Sequence, residues 1–119
     1  MPKVAVVTSV YNGEAFLEQC VRSILDQTFR DFEFIILNNG STDGTTKILN
    51  QLRDPRLRII HQENLGVTRS LDKGVRMARA DLIARLDADD YSFPNRLRRQ
   101  VNFMDKNLDY ALCGSKFLE

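Results

Sequence analysis

Three carboxylates stand within four residues in the segment 86–90, directly after a largely apolar run that ends at Leu86. Asp87, Asp89 and Asp90 repel one another strongly unless a cation lies among them. A short acidic loop that offers only oxygen ligands suits a hard divalent ion, Mg²⁺ or Mn²⁺, whose shell is often completed by phosphate oxygens. The alternative is an acidic turn in which Asp89 or Asp90 caps a helix. The segment alone leaves both interpretations open.

Strand-like and helix-like runs alternate along the chain, as judged from their hydrophobic periodicity. We predict five strands, at 4–10, 34–37, 57–61, 81–86 and 110–113. Between them we predict four helices, whose inward residues include Phe16, Leu17, Cys20, Val21, Ile24 and Leu25; Ile48, Leu49 and Leu52; Val67, Leu71, Val75 and Ala78; and Leu97, Val101, Met104 and Leu108. This alternation predicts an α/β fold, a three-layer α/β/α sandwich with a mostly parallel sheet.

Polar segments follow four of the predicted strands, at 8–13, 38–43, 64–66 and 87–90. Ligands of open parallel sheets bind beyond the carboxyl ends of the strands, so we expect these segments to meet at one edge. Asn38-Asn39-Gly40 also has the composition of a tight turn, because Asn and Gly tolerate positive φ. We expect Arg85 to pair with a carboxylate of the acidic segment, with a contact to the donor as the alternative, and His61, at the end of a strand, to have a packing or edge role.

Size and composition indicate one soluble domain. Seventeen basic and sixteen acidic residues in 119 leave little net charge, which argues against a nucleic-acid partner. No apolar run approaches a membrane span and the start lacks a signal-peptide pattern, so we predict a cytoplasmic protein. The basic group Arg96, Arg98 and Arg99 leaves a contact with the inner face of the membrane, or with another subunit, as an alternative to a solvated helix face. We expect Cys20 and Cys113 to be buried free thiols.

Several segments of the scaffold occur in an order that points to a known family. They are 7–14 (VTSVYNGE), 37–45 (LNNGSTDGT), 63–66 (ENLG) with Lys73-Gly74, 83–90 (IARLDADD) and 94–97 (PNRL). The chain thereby resembles the family 2 glycosyltransferases, whose nucleotide-binding half has a Rossmann-like GT-A fold, over essentially its whole length. The family usually carries an Asp where this chain has Asn38 and Asn39. An amide can still form hydrogen bonds with the edge of a nucleobase, as donor and as acceptor. The residues therefore do not decide whether the nucleoside is uridine or another one.

The resemblance implies transfer of a sugar from a nucleoside diphosphate sugar, with a UDP-sugar favoured, to a saccharide or lipid-linked acceptor. It implies inversion at the anomeric carbon and a divalent cation, Mg²⁺ or Mn²⁺, held directly by Asp89, with Asp87 on the ribose or on the metal through water. Arg69 and Lys73 lie one helical turn apart and could reach the diphosphate, or could form a solvated face. The candidate nucleotide-binding residues are Thr8, Val10, Tyr11, Asn38, Asn39, Arg69, Lys73, Asp87 and Ala88.

The resemblance also implies that the catalytic base lies in an acceptor-binding half beyond this chain. We therefore expect residues 1–119 to form a single donor-binding domain that binds nucleotide and metal but transfers little sugar alone, with homodimerisation as an open question. Two alternatives remain from the residues. A non-catalytic nucleotide-binding or interaction module would bind without metal, and a nucleotidyltransferase would normally carry a Gly-rich loop with Arg or Lys after the first strand, which 8–13 does not.

Overall fold

A computed structural model describes residues 1–114, in which strands and helices alternate strictly. The elements are β1 (Val4–Val10), α1 (Leu17–Leu25), β2 (Phe32–Asn39), α2 (Thr45–Gln51), β3 (Leu57–Gln62), α3 (Val67–Met77), β4 (Leu82–Arg85) and α4 (Arg96–Lys106). The strands pair in the order β3-β2-β1-β4, and every pairing is parallel. Within this range no helix has the length and apolar character needed to cross a membrane.

Helices cover both faces of the sheet, which confirms the predicted three-layer α/β/α sandwich. On one face, Val6, Phe34 and Ile36 of the central strands pack among buried residues of α1, α2 and α4, including Ile24, Leu49 and Leu97. On the other face, Ala5, Val7, Ile35 and Leu37 pack against α3 through Leu71, Met77 and Ala78. Strands β1 and β2 are therefore buried on both sides, and this explains why their sequences show little polar alternation.

Helix α3 lies unusually close to the sheet at Gly74. A Cβ atom there would stand 2.5 Å from Cγ1 of Val7 and 2.8 Å from Cδ1 of Leu37. The predicted inward face of this helix is wrong in part, because Val67 and Val75 are 58% and 45% exposed. The buried positions are instead Ser70, which has a small side chain, and Gly74, which has none, and this lets the helix backbone approach the strands.

The predicted fifth strand is wrong. Residues 110–113 have no strand structure, and the ring of Tyr110 stacks on Phe103 with centroids 5.5 Å apart. A short apolar run becomes a strand only when it finds a ladder partner, and this segment has none among the described residues. Cys113, expected to be buried, is exposed, while Cys20 is buried as expected.

Two residues lie outside the apolar stripes predicted for them. Phe16 immediately precedes α1 and is 56% exposed, and Leu108 follows the end of α4 and is 88% exposed. Both residues lie beyond the helix ends, because α1 and α4 are shorter than their hydrophobic periodicity indicates. The remaining inward residues of α4 that lie nearest its start, Leu97 and Val101, are buried as predicted.

Candidate functional site

The four polar segments do meet at the carboxyl edge of the sheet, since all four strands run in the same direction. Side chains connect neighbouring segments directly. The hydroxyl of Thr8 in β1 donates to the carbonyl oxygen of Leu86, at the start of the acidic loop. The amide nitrogen of Asn39 donates to Oδ1 of Asn64 at 2.9 Å, which joins the segments that follow β2 and β3. The expected convergence is therefore confirmed.

Asn12 connects the loop after β1 with the loop after β2 through hydrogen bonds. Its backbone takes the left-handed conformation, with φ 52°, and its Oδ1 accepts a hydrogen bond from the backbone nitrogen of Thr42 at 2.7 Å. The backbone nitrogen of Glu14 donates to Oδ2 of Asp43 at 3.3 Å. Hydrogen bonds from Thr45 hold the pKa of Asp43 below its ordinary value. These contacts present Tyr11, which is 52% exposed, at the rim of the edge.

Asn38 and Asn39 are not in a turn. They form the last two residues of β2, buried at 3% and 2% exposure, and the positive φ lies at the next residue, Gly40, at 74°. The turn interpretation of these asparagines is thus wrong in its placement. A Cβ at Gly40 would lie 2.9 Å from the backbone nitrogen of Asn64, so this position also brings two segments together.

The two asparagines are adjacent in a strand, so their side chains face opposite sides of the sheet, and they differ in which polar atoms have hydrogen-bond partners. Nδ2 of Asn38 lies 2.8 Å from Oγ1 of Thr46 and 3.0 Å from Nδ1 of His61, while its Oδ1 is buried without a partner among the described residues. Oδ1 of Asn39 accepts from the backbone nitrogen of Leu65 at 2.8 Å and from Gln62. Asn38 therefore has an unused acceptor, whereas Asn39 is occupied in holding the next loop.

Arg69 and Lys73 follow Gly66, whose φ of 80° starts α3. The ammonium group of Lys73 donates to Oε1 of Gln62 at 2.9 Å, which places it at the end of β3. Arg69 is exposed and makes no hydrogen bond or ion pair with a described residue. The ammonium group of Lys73 is thus held at the edge of the sheet, whereas the guanidinium group of Arg69, at the start of the same helix, has no partner among the described residues.

The acidic loop brings three carboxylates together. Oxygen atoms of Asp87, Asp89 and Asp90 all lie within 4.8 Å of one another, and all three residues are exposed. Arg85 pairs with Asp87 at 3.5 Å, as expected. Three exposed hard oxygens at this spacing fit a divalent cation that keeps further positions for phosphate or water. Ala88, between them, is half-buried and packs against the core.

Side chains from neighbouring elements support this loop from beneath, a role that their residue types do not predict. Sγ of Cys20 in α1 lies 3.5 Å from the carbonyl oxygen of Asp87, which it meets as a donor. Nη2 of Arg96 donates to the carbonyl oxygen of Arg85 at 2.8 Å. Burial, followed by the charges of Asp90 and Asp89, raises the pKa of the Cys20 thiol to about 12. The thiol therefore stays protonated and can act as a donor.

Comparisons with known proteins agree with this geometry. The family model described as "Glycosyl transferase family 2" matches residues 5–117. The putative glycosyltransferase EpsE of Bacillus subtilis is 38% identical, in an alignment that covers 98% of this chain and 44% of that protein. An uncharacterized glycosyltransferase of Methanocaldococcus jannaschii is 40% identical, over 96% of this chain and 41% of that protein. The chain thus spans less than half the length of these relatives.

Two solved structures share the fold. S. aureus TarS 1-349 in complex with UDP-GlcNAc superimposes with a TM-score of 0.82 at 24% identity, over 89% of this chain and 32% of that one. The mannosyltransferase PcManGT of Pyrobaculum calidifontis, in complex with GDP-Man and Mn²⁺, gives 0.79 at 23% identity, over 87% of this chain and 32% of that one. At such identities the likeness concerns the arrangement of strands and helices.

Proposed function

The chain belongs to glycosyl transferase family 2, and from this premise we propose that it binds a nucleoside diphosphate sugar together with a divalent cation, Mg²⁺ or Mn²⁺. The observation that supports the proposal most is the position of three clustered carboxylates at the same sheet edge as the buried amides of Asn38 and Asn39. TarS and PcManGT, which share the fold, are known in complex with UDP-GlcNAc and with GDP-Man and Mn²⁺.

The diphosphate of such a donor carries negative charge that must be neutralised near three carboxylates. We propose that Asp89 binds the cation directly and that Asp87 binds it through water or contacts the ribose. A cation held there supplies Lewis-acid stabilisation of the charge on the departing diphosphate. Arg69, exposed and unpaired among the described residues, and Lys73, at the end of β3, are the side chains that we assign to the phosphate oxygens.

The base is assigned to the rim between β1 and β2. Oδ1 of Asn38 is an acceptor without a partner in the described part of the chain, and we assign it to the imino N–H of uracil or guanine, a contact that requires this buried side chain to turn toward the rim. We assign Tyr11 to the exposed side of the same base, and the buried residues Thr8 and Val10 to positioning the loop. Both uracil and guanine carry an imino N–H, so the proposal favours UDP without excluding GDP.

We further propose that residues 1–119 form the donor-binding domain and that sugar transfer needs residues supplied elsewhere. The reaction would be a direct displacement with inversion, in which a hydroxyl of a saccharide or lipid-linked acceptor attacks the anomeric carbon and a carboxylate removes its proton. The family resemblance implies that this catalytic base lies in an acceptor-binding half, and the chain spans less than half the length of its relatives, so we expect the catalytic base outside residues 1–114. Efficient sugar transfer by the isolated chain would overturn this part.

The proposal is tested by calorimetric titration of the chain with UDP, UDP-GlcNAc, GDP and GDP-mannose, each with and without Mn²⁺. We expect binding that tightens at least tenfold with Mn²⁺, and loss of that gain in Asp89→Ala. Asp105→Ala is the matched control, because Asp105 is an exposed carboxylate of α4 paired with Lys3 at 2.9 Å, at the far end of β1. Metal-independent binding, or a metal effect that survives Asp89→Ala, would favour a non-catalytic nucleotide-binding module.

A further inference from the structure

Gln27 is a polar residue whose side chain is buried in the protein interior. It follows the end of α1, is 1% exposed and belongs to the largest fully buried side chains of the described residues. Its Nε2 donates to the carbonyl oxygens of Ser23 at 3.0 Å and Phe93 at 2.6 Å. Its Oε1 accepts from the backbone nitrogen of Leu97 at 3.0 Å. Two of the three bonds therefore hold the segment that links the acidic loop to α4.

Ser23, one helical turn earlier, holds the same segment. Its hydroxyl accepts a hydrogen bond from the backbone nitrogen of Ser92 at 3.0 Å and donates to the carbonyl oxygen of Cys20 at 2.7 Å. Cys20 in turn contacts the carbonyl oxygen of Asp87. We call Cys20, Ser23 and Gln27 the α1 clasp. Its three members bind the chain at successive points from the acidic loop to the start of α4.

The acidic loop needs such support because its carboxylates repel one another. Oxygens of Asp87, Asp89 and Asp90 within 4.8 Å would separate if the loop were free to spread. If the loop had to become ordered each time a cation binds, the entropy cost of ordering would lower the affinity for the cation. A loop that is already ordered does not have this cost. The hydrogen bonds of the clasp hold the loop and the following segment through their backbone atoms, so the side chains of the carboxylates stay available for a cation.

We propose that Gln27, together with Ser23, is a positioning residue for cation binding: it fixes the path of residues 92–97 and thereby keeps the three carboxylates in one ligand set. The inference rests on the cation site of the proposed function. Gln27 touches neither cation nor donor in this scheme. It acts through Phe93 and Leu97, and its removal should therefore weaken cation binding in a chain that still folds.

The test uses the whole chain, Mn²⁺ alone and the electron paramagnetic resonance signal of free Mn²⁺. Gln27→Met keeps the length of the side chain and removes its hydrogen bonds. We expect roughly tenfold weaker Mn²⁺ binding, the size typical for loss of a group that orients metal ligands. Circular dichroism at the same temperature confirms that the variant is folded. Unchanged affinity in folded Gln27→Met would overturn the inference.

A matched control separates positioning from general destabilisation. Glu33 is also buried, at 6% exposure, and also bonds two segments, Arg58 at 2.9 Å and the backbone nitrogen of Arg79 at 2.6 Å, at the opposite edge of the sheet. Glu33→Gln should lower the free energy of unfolding without changing Mn²⁺ affinity. If Glu33→Gln weakens Mn²⁺ binding as much as Gln27→Met does, the effect reflects lost stability and the inference fails.

A second variant keeps the test decisive if Gln27→Met does not fold. Ser23→Ala removes a single oxygen, the acceptor for the backbone nitrogen of Ser92, and we expect a measurable loss of Mn²⁺ affinity that is smaller than in Gln27→Met, because one hydrogen bond to the segment is lost instead of two. Unchanged affinity in Ser23→Ala would then overturn the inference. Failure of the proposed function looks different, because UDP binding by the wild-type chain would then be unaffected by Mn²⁺, and that result would end both.

Discussion

The side-chain oxygen of Asn39, in the last residue of β2, accepts a hydrogen bond from the backbone nitrogen of Leu65 at 2.8 Å. This bond ties the loop before α3 to a central strand of the sheet. Asn39 is 2% exposed, and its amide nitrogen bonds Asn64 in the same loop. A single buried side chain thus sets the position of the loop that leads into the helix carrying Arg69 and Lys73.

Asn39→Leu should destabilise the fold. The substitution fills a similar volume but leaves the backbone nitrogen of Leu65 without its acceptor, and an unpaired buried donor costs roughly 1–3 kcal/mol. Urea unfolding followed by circular dichroism measures the change. Asn107→Ala is the control, since the Asn107 side chain makes one exposed hydrogen bond, to Phe103, and its loss should stay within about 0.5 kcal/mol. Equal effects of the two variants would contradict the assigned role of Asn39.

Gly74→Ala should also be destabilising, for a steric reason. The new methyl group would meet Cγ1 of Val7 at 2.5 Å, so α3 would have to move away from the sheet, at a cost of about 1–3 kcal/mol. Gly114→Ala provides the matched control, because a Cβ at Gly114 meets nothing within 4 Å. Thermal unfolding of both variants gives the comparison. A Gly74→Ala chain as stable as Gly114→Ala would show that α3 does not pack as described.

Acid should remove a stabilising contribution of Asp43. Hydrogen bonds from Thr45, in side chain and backbone, lower the folded-state pKa of this carboxyl. A lowered pKa means that the unfolded chain binds the proton more tightly, so stability is fully present above the unfolded-state pKa of about 3.9 and is lost as the pH falls through the folded-state pKa.

The Asp43 contribution is checked by measuring unfolding free energy from pH 6 to pH 2.5 in the wild-type chain and in Asp43→Asn. We expect a shallower loss of stability below about pH 4 in the variant, since it has one carboxylate fewer to protonate. Asp54, whose pKa is lowered chiefly by its hydrogen bond with Arg56, keeps part of the slope in both proteins. Identical pH profiles would show that Asp43 is not held in its ionised form by these hydrogen bonds.

The two cysteines should differ sharply in reactivity. Cys20 is 1% exposed and the pKa of its thiol is raised to about 12, so almost no thiolate is available at pH 8. Cys113 is exposed. We expect a disulfide reagent such as DTNB to modify one thiol quickly in the folded chain and the second only after denaturation. Cys113→Ser should lose the fast phase, and a fast phase that persists in it would place Cys20 at the surface.

Much of the architecture could be predicted because burial leaves a direct trace in sequence. The central strands are covered on both faces, so runs such as 4–7 and 34–37 are uniformly apolar, and their alternation with amphipathic helices predicts parallel pairing. Parallel pairing in turn places every loop after a strand at one edge. The location of Asp87 and Asp89 beside the segment of Thr8 therefore follows from topology alone.

The errors arise where packing depends on the absence of a side chain or on a distant partner. Hydrophobic periodicity predicts that α3 turns the face with Val75 inward, because it gives no weight to Gly74, whose lack of a side chain permits the close approach. Residues 110–113 have strand-like composition but no strand beside them within residues 1–114.

The role of Gln27 is not evident from its residue type, since glutamine usually lies at the protein surface. One signal was available. Cys20, Ser23 and Gln27 have the i, i+3, i+7 spacing of one helical face, and this spacing predicts an inward Gln27, although α1 itself ends at Leu25. A polar residue at such a position needs a partner, and that need points to a buried hydrogen-bond network.

Mapping paramagnetic broadening by Mn²⁺ onto the assigned amide spectrum of the chain, with UDP present, tests most directly whether the loops form one site. We expect broadening around Asp87, Asp89 and Asp90 that extends to the ends of β1 and β2, and that disappears in Asp89→Ala. Amides at the opposite edge, such as those of Lys3 and Arg56, should stay sharp. Broadening centred at that opposite edge, or none that depends on Asp89, would contradict a shared cation and nucleotide site.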